Sequence, residues 1–429
     1  MKKNIVAVSI LSFMGVNSAF AAALDRSGQP ILPFLQDGNY FEVSAFALDP
    51  HVSGKVKPGN PSLSILNGAN VHDMGESYSF VNAALKVQAT EHFSIGLLYD
   101  QPFGAKANYS SDESVIPKAV PIVGNQGMFH NGNTGESTNA EVKSENISLI
   151  IGFQPNKNWN LYAGPAYQSV KGNVQLSGMT YGGVQGLGGY TADIPEDSSV
   201  GWLAGVAYQI PEIALKAAVT YRSSIDHKFD IQEDLGALEV LKQNPAFGYV
   251  DAKTKVTTPE SVNLDFQTGL NDKTLLSANI RWVNWKDFVI RPHDFGFASE
   301  ILAQQLSPSY KDGFNLADWS KDQWSANLGL GRKLNEQWAV SGQLGWDSGA
   351  GNPVTTLGPV DGYWSVGAGV QYNPASSYFV AAGVKYFWLG DATAQAGSYS
   401  VPGNSLNAQS SEFKDNYAIA YGLKFGYKF

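Results

Sequence analysis

The chain contains no cysteine. Disulfides, a thiolate nucleophile and any cysteine metal site are therefore excluded. The six histidines, His51, His72, His92, His130, His227 and His293, are scattered, and none pairs with another at metal-ligand spacing. No metal or other cofactor is expected. Charge is sparse as well, at 16% of residues, with a net charge of −9. An acidic chain of this kind offers no general basis for binding nucleic acid. After the first two dozen residues no stretch holds the roughly 18 consecutive apolar residues that a membrane-spanning helix needs. A sustained i, i+3, i+4 helical period is missing too.

What the chain has instead is alternation. Its 20 Tyr, 22 Phe and 10 Trp, with 45 Gly, make a β-like composition. At the start, Lys2 and Lys3 precede an apolar run from Ile5 to Val16, and small residues Ala19 and Ala21 follow. That layout is a secretory signal peptide, 1–21, and its apolar run is too short to span a bilayer. At the end, Tyr417, Ile419, Tyr421, Leu423, Phe425, Tyr427 and Phe429 form an unbroken stripe that closes on the last residue. As the exposed edge of a soluble sandwich, such a stripe would be an aggregation hazard. A final strand ending in phenylalanine resembles the signal read by the barrel-assembly machinery of bacterial outer membranes.

Fourteen alternating segments run from 39–50 to 413–429. Short connections ("TEH", "PNKN", "IPE", "LND", "LNE", "NPASS") alternate strictly with much longer ones. An even strand number, with short turns at one end and long loops at the other, is the pattern of a membrane barrel. The expected fold is all-β: a 14-stranded antiparallel transmembrane β-barrel over 39–429, preceded by a short tail, 22–38. Both ends of the chain then lie on the periplasmic, short-turn side. In "QWAVSGQLGW" the residues Trp338, Val340, Leu344 and Trp346 face lipid, and Ser341 and Gln343 face inward. Trp159, Trp338, Tyr372 and Tyr378 form a lower aromatic girdle; Trp282, Trp346 and Trp388 form an upper one. The surrounding partner is outer-membrane lipid.

The third segment, 92–109, carries a fault. Phe93, Ile95, Leu97 and Tyr99 alternate regularly until Pro102 and Gly104 arrive. Proline cannot donate to a ladder, and glycine weakens a strand or marks a bulge. Within a membrane, a broken ladder is tolerated where the freed groups are satisfied again or line a water-filled gap. Two readings follow: a side opening through which an apolar solute reaches the lipid, or a rim bulge of the common kind.

Several stretches resemble the FadL/TodX family of outer-membrane transporters for hydrophobic compounds. They are "YDQPFGAKANY" in strand three, Gly201 to Ile225 with Thr220–Ser223, "TTPESVNLDF" with Pro259 and Glu260, and "FALDPHVSG" in strand one. The resemblance covers nearly all of the chain beyond the signal peptide. It implies a monomer that takes up long-chain fatty acids or aromatic hydrocarbons and releases them laterally at a kink in strand three, here Pro102, Phe103 and Gly104. One departure stands out. Members usually begin with a longer plug bearing an Asn-Pro-Ala motif, whereas Asn244–Ala246 lies in a loop and only residues 22–38 precede strand one. Those residues are expected to act as a reduced plug or to leave the channel partly open.

Alternation turns Lys86, Lys216, Arg222, Arg281, Lys385 and Lys424 into the lumen. Arg222, Arg281 and Lys385 are the candidates for holding a ligand carboxylate by charge-assisted hydrogen bonds, unless acids such as Glu42, Asp100 or Asp265 pair with them. Two apolar loops offer Ile122, Val123 and Phe129, and Met179, Tyr181 and Leu187, as a capture surface outside the pore. A passive porin without lateral exit is the alternative; it calls for polar loops and an unbroken third strand. No nucleophile, acid–base or metal motif points to an enzyme, although a Ser/His/Asp triad is recognised only by geometry.

Overall fold

The structure, a computed structural model, describes residues 24–58, 66–109, 125–403 and 409–429. The barrel strands are β1 (Tyr40–His51), β2 (Tyr78–Gln88), β3 (Phe93–Asp100), β4 (Asn139–Asn156), β5 (Trp159–Gln175), β6 (Thr191–Ile210) and β7 (Leu215–Arg222). They continue as β8 (Ser261–Asn271), β9 (Thr274–Val283), β10 (Gln323–Lys333), β11 (Trp338–Asp347), β12 (Tyr363–Ala375), β13 (Tyr378–Leu389) and β14 (Tyr417–Lys428). Each runs antiparallel to its chain neighbours. β1 closes on β14, with Tyr40 opposite Lys428 and His51 opposite Tyr417. Closure pairs the first strand with the last, as the hydrocarbon layer demands.

Alternation places the faces as the period-two pattern requires. On β3, Phe93, Ile95 and Leu97 are exposed, whereas Ser94, Gly96, Leu98 and Asp100 are buried. Ring pairs sit at the two girdles: Trp338 with Tyr372 at 4.7 Å below, Trp346 with Trp364 at 6.5 Å above. Among the described residues no helix is long and apolar enough to cross a membrane.

Several long segments are shorter in the barrel than alternation predicts. The seventh, 213–230, ends as a barrel strand at Arg222. There Ser223 donates its N–H to the Trp202 carbonyl and accepts the Trp202 N–H on its hydroxyl, closing the rung. Beyond it, Ile225–Phe229 pairs with Thr254–Thr258 as a separate ribbon above the wall. The ninth, 273–290, ends at Val283, after which Trp285 turns inward and is fully buried.

The segment before β1 lies inside the barrel. Ile31, Phe34 and Leu35 are buried against the inward faces of Leu98, Ile150, Tyr162 and Leu203. Phe34 meets the Tyr162 ring edge-on at 5.7 Å. Gly96 lies directly beneath it, where a Cβ would fall 2.3 Å from a Phe34 ring carbon. Two successive turns form here, Phe34 N–H to Ile31 O and Leu35 N–H to Leu32 O. Lys216 caps the Leu35 carbonyl, and Lys86 caps that of Gln36 at 2.6 Å.

Candidate functional site

The wall is open between β2 and the third strand. β2 pairs with β3 only from Ala83 opposite Tyr99 down to Gln88 opposite Ser94. Its upper residues Tyr78–Asn82 pair with β1 alone. After Asp100 the third strand resumes as Gly104–Asn108, which pairs with β4 and not with β2. The register explains the offset. Asp100 faces Asn146 but Gly104 faces Lys143, so three residues, Gln101 to Phe103, oppose two on β4. This is a bulge centred on Pro102. Bridges of Gly75 to Ala107 close the seam above.

Both edges of the bulge are satisfied. On the β4 side, the Ser144 hydroxyl accepts the Phe103 N–H at 2.8 Å and donates to the Phe103 carbonyl at 2.7 Å. On the side that β2 has vacated, the tail supplies the partners: Arg26 N–H to Pro102 O at 2.6 Å, and Gly104 N–H to Leu24 O at 2.7 Å. Asp25 thus sits opposite Phe103 as a one-rung strand. An unpaired backbone group here would cost about 1–3 kcal/mol, so the tail is the reason the break is tolerable.

The tail is itself anchored across the lumen. Arg281 donates from Nε to Asp25 Oδ2 at 2.6 Å, from Nη1 to Asn263 at 2.6 Å and from Nη2 to Gln29 at 3.0 Å. Both ionic partners are nearly fully buried. Asn263 also donates to the Gly28 carbonyl, and Ser27 to Asp100. Arg281 is therefore engaged by the tail, which corrects its expected place as a receptor for a ligand carboxylate. Lys385 is buried, donates to Asn327 Oδ1 at 3.3 Å and lies over the Phe387 ring at 5.0 Å. Arg222 is buried on β7, with one terminal nitrogen, Nη1, lacking a partner among the described residues. Lys424 pairs with Glu42 at 3.1 Å. Arg222 and Arg281 lie close enough to interact with each other and share the acids Asp100 and Asp265.

Behind the bulge lies a small apolar pocket, partly open to solvent. Leu24 of the tail and Phe103 of the bulge form one wall; Phe229, Val256, Trp285 and Phe288 form others. Phe103 meets Trp285 edge-on at 5.6 Å, and Trp285 packs on Phe288 and Trp319. The polar side chains on this lining are already occupied. His227 faces Asp197 at 3.0 Å and Gln168 at 3.2 Å, and Thr258 donates to Gln168 at 2.8 Å. Lys171 pairs with Glu196, and Ser144 is spent on Phe103. Burial pushes the His227 imidazole below its ordinary pKa, against the opposing pull of Asp197.

The loop candidates divide. Phe129 and Leu187 are buried, and so do not form the exposed capture surface expected of them. Phe129 stacks on Tyr109 at 4.1 Å within a cluster that caps the barrel, and Met179 packs against the same cluster. Apolar loop residues bury themselves when neighbouring loops offer a partner, and these loops do. Ile122 and Val123 lie outside the described residues. Tyr181 and Leu187 do line a second hollow, together with Leu302 of the helix α1 (His293–Leu306), Phe314 and Leu316. Sequence reasoning passed over Asp25, Arg26, Ser144 and Trp285. A charged pair followed by "ILPFL" just ahead of the first strand was the available sign that the tail packs against something.

A family model described as outer membrane protein transport protein (OMPP1/FadL/TodX) matches residues 122–429. Among solved structures, the chain resembles a Pseudomonas aeruginosa FadL homologue at 14% identity and a TM-score of 0.65, over 97% of this chain and 98% of that one. It also resembles the P. putida toluene transporter TodX (11%, TM-score 0.57, 93% and 92% covered). The Ralstonia pickettii toluene transporter TbuX is a third (12%, TM-score 0.53, 97% and 98%). No curated protein sequence matches significantly. At such identities the structural likeness speaks for the fold alone, but the family model covers most of the chain, which therefore belongs to the OMPP1/FadL/TodX family of outer-membrane transport proteins.

Proposed function

We propose that this protein takes up hydrophobic small molecules through the outer membrane, holding them in the pocket behind the bulge and releasing them sideways between β2 and the third strand. The observation that carries the reading is the position of Phe103. It is at once a wall of the apolar pocket and the centre of the break in the ladder, so pocket and seam share one residue. A solute in the pocket lies one side chain from the opening.

Of the two ligand classes, aromatic hydrocarbons fit this pocket better than long-chain fatty acids. Four aromatic side chains line it, and its polar groups are already bonded to protein. A carboxylate entering there would lose its hydration and find no ready donor, at a cost of several kcal/mol. The hollow under Tyr181 and Leu187 is the outer waiting site in this reading, and residues 24–38 are the reduced plug. A porin of the passive kind would have no use for a lumen filled by Ile31, Phe34 and Leu35.

The test is uptake of labelled toluene and oleate by cells lacking their own transporter. Wild type is compared with a Pro102→Val variant, which restores a ladder donor and leaves Gly104 unchanged, at equal surface expression. Lateral release predicts that toluene uptake falls while small-sugar permeation does not change. A variant that transports as well as wild type refutes it.

A further inference from the structure

Between β2 and the third strand, beside the docked tail backbone, lies the side chain of Arg26. Arg26 is 4% exposed, and its guanidinium carbon lies 3.9 Å from the centre of the Tyr78 ring. Tyr78 stands at the top of β2, on the stretch that has lost its third-strand partner. The other face of the guanidinium rests on Gly104. A Cβ there would fall 2.4 Å from the guanidinium carbon and 2.6 Å from both Nε and Nη1. Gly104 does not have a positive φ, so its backbone does not call for glycine. The glycine is there to admit the arginine. Arg26 Nε, buried, has no hydrogen-bond partner among the described residues. The guanidinium is held in the gap by its contact with Tyr78 and its fit over Gly104, with Nε left over.

The backbone that carries it is fixed far more firmly. Leu24 and Arg26 are laddered to Gly104 and Pro102, Asp25 is clasped by Arg281, and Phe34 is sunk in the lower lumen. A buried, bidentate ion pair is costly to break, whereas the contact of the Arg26 guanidinium with the Tyr78 ring is the weaker hold. Resting on the lateral-release reading, we propose that Arg26 is the seal of the exit: its side chain swings out of the seam to pass a ligand, while the tail backbone stays docked. Arg26 is a positioning and gating residue, and the slot it occupies is the missing side chain of Gly104.

A double-mutant cycle tests this. Arg26→Ala, Gly104→Ala and the double variant are compared with wild type for toluene uptake and for thermal midpoint of the purified protein. Arg26→Ala removes the seal and Gly104→Ala evicts it, so each is expected to raise initial toluene uptake several-fold. The double variant should match either single rather than multiply them. Gly104→Ala should lower the midpoint in wild type and leave it unchanged in the Arg26→Ala background. Additive effects on both readouts, or unchanged uptake in Arg26→Ala, overturn the proposal. If Arg26→Ala fails to assemble, Gly104→Ala puts the same question from the wall side. The two readings fail separately. If the Pro102→Val strand, with Gly104 intact, transports like wild type, sideways release is wrong. If that strand is blocked but Arg26→Ala is unchanged, release stands and Arg26 is not its seal.

Discussion

Replacing Asp25 by alanine tests what keeps the tail in the barrel. The Arg281–Asp25 pair is buried on both sides, with Nε and Nη2 of the arginine both directed at the carboxylate. Removing one member of a buried pair leaves an uncompensated charge and costs about 3–5 kcal/mol. Arg281 would keep its bonds to Asn263 and Gln29, two neutral acceptors, which favours the lower half of that range. At about 1.4 kcal/mol per tenfold, the undocked fraction should rise by roughly two to three orders of magnitude. The absence of native cysteine supplies a clean reporter. Ser27, almost fully buried, is changed to cysteine in both backgrounds, so that loss of its bond to Asp100 cancels. Labelling by a polar maleimide then tracks the population of the open tail, provided reclosing outpaces reaction. A rate increase below about tenfold would refute the reasoning. So would equally fast labelling in Asp25→Leu/Arg281→Leu, because losing both charges together should be close to neutral.

Other consequences can be measured with the same tools. Gly96→Ala drives a Cβ to within 2.3 Å of the Phe34 ring; overpacking of about 1–3 kcal/mol should loosen the tail and speed labelling at position 27 roughly tenfold. Trp285→Ala removes the pocket wall that braces Phe103, Phe288 and Trp319, and should weaken toluene binding by about tenfold or more, read as quenching or competition in detergent. For His227 the sign follows from burial: its folded pKa is depressed, so its contribution to stability is present above the ordinary value near 6.5 and is lost as pH falls below it. The thermal midpoint should therefore drop between about pH 8 and about pH 5, and His227→Gln should flatten that drop; an identical slope in the variant sinks the assignment.

The barrel was legible because strand alternation is local. Each of the strands declares its lipid face within its own ten or so residues, and the six tight turns punctuate them without reference to anything distant. Pro102 marked the break for the same reason. What was not legible depends on partners far along the chain. The Asp25–Arg281 pair spans 256 positions, and nothing near Arg281 distinguishes a ligand receptor from an anchor. Phe129 and Leu187 illustrate a different ambiguity: an apolar loop residue reads identically whether it lines a docking surface or covers a neighbour. Gly104 was visible as a glycine, but its reason, the guanidinium of Arg26, sits outside the strand altogether.

The inner wall nevertheless carries a record of the tail. A water-filled lumen calls for polar inward positions, and the upper part of the wall has them in Asp100, Asn146, Asn263 and Arg281. Lower down, the same alternation places Leu98, Ile150, Leu203, Ala207 and Ala218 inward, all buried. Left facing water, the larger of these would each forfeit about 1.5–3 kcal/mol. They are buried because Ile31, Phe34 and Leu35 cover them; the Phe34 ring lies on Gly96, and at Gly152 it crowds the site together with Ser94 and Asn160. On β2 to β7 the lower apolar inward positions are those the tail covers, while a second apolar set, Phe46, Leu48, Phe80, Phe387 and Leu389, is buried higher up under the cap of loops. The polar segments of the tail, Asp25 to Gln29, meet the polar part of the wall, and its apolar segment meets the apolar part. The lower apolar lining of β2 to β7 and the apolar segment of the tail thus match, and the break at Pro102 is met by Leu24 and Arg26 at the start of the tail, where the wall lacks its β2 partner.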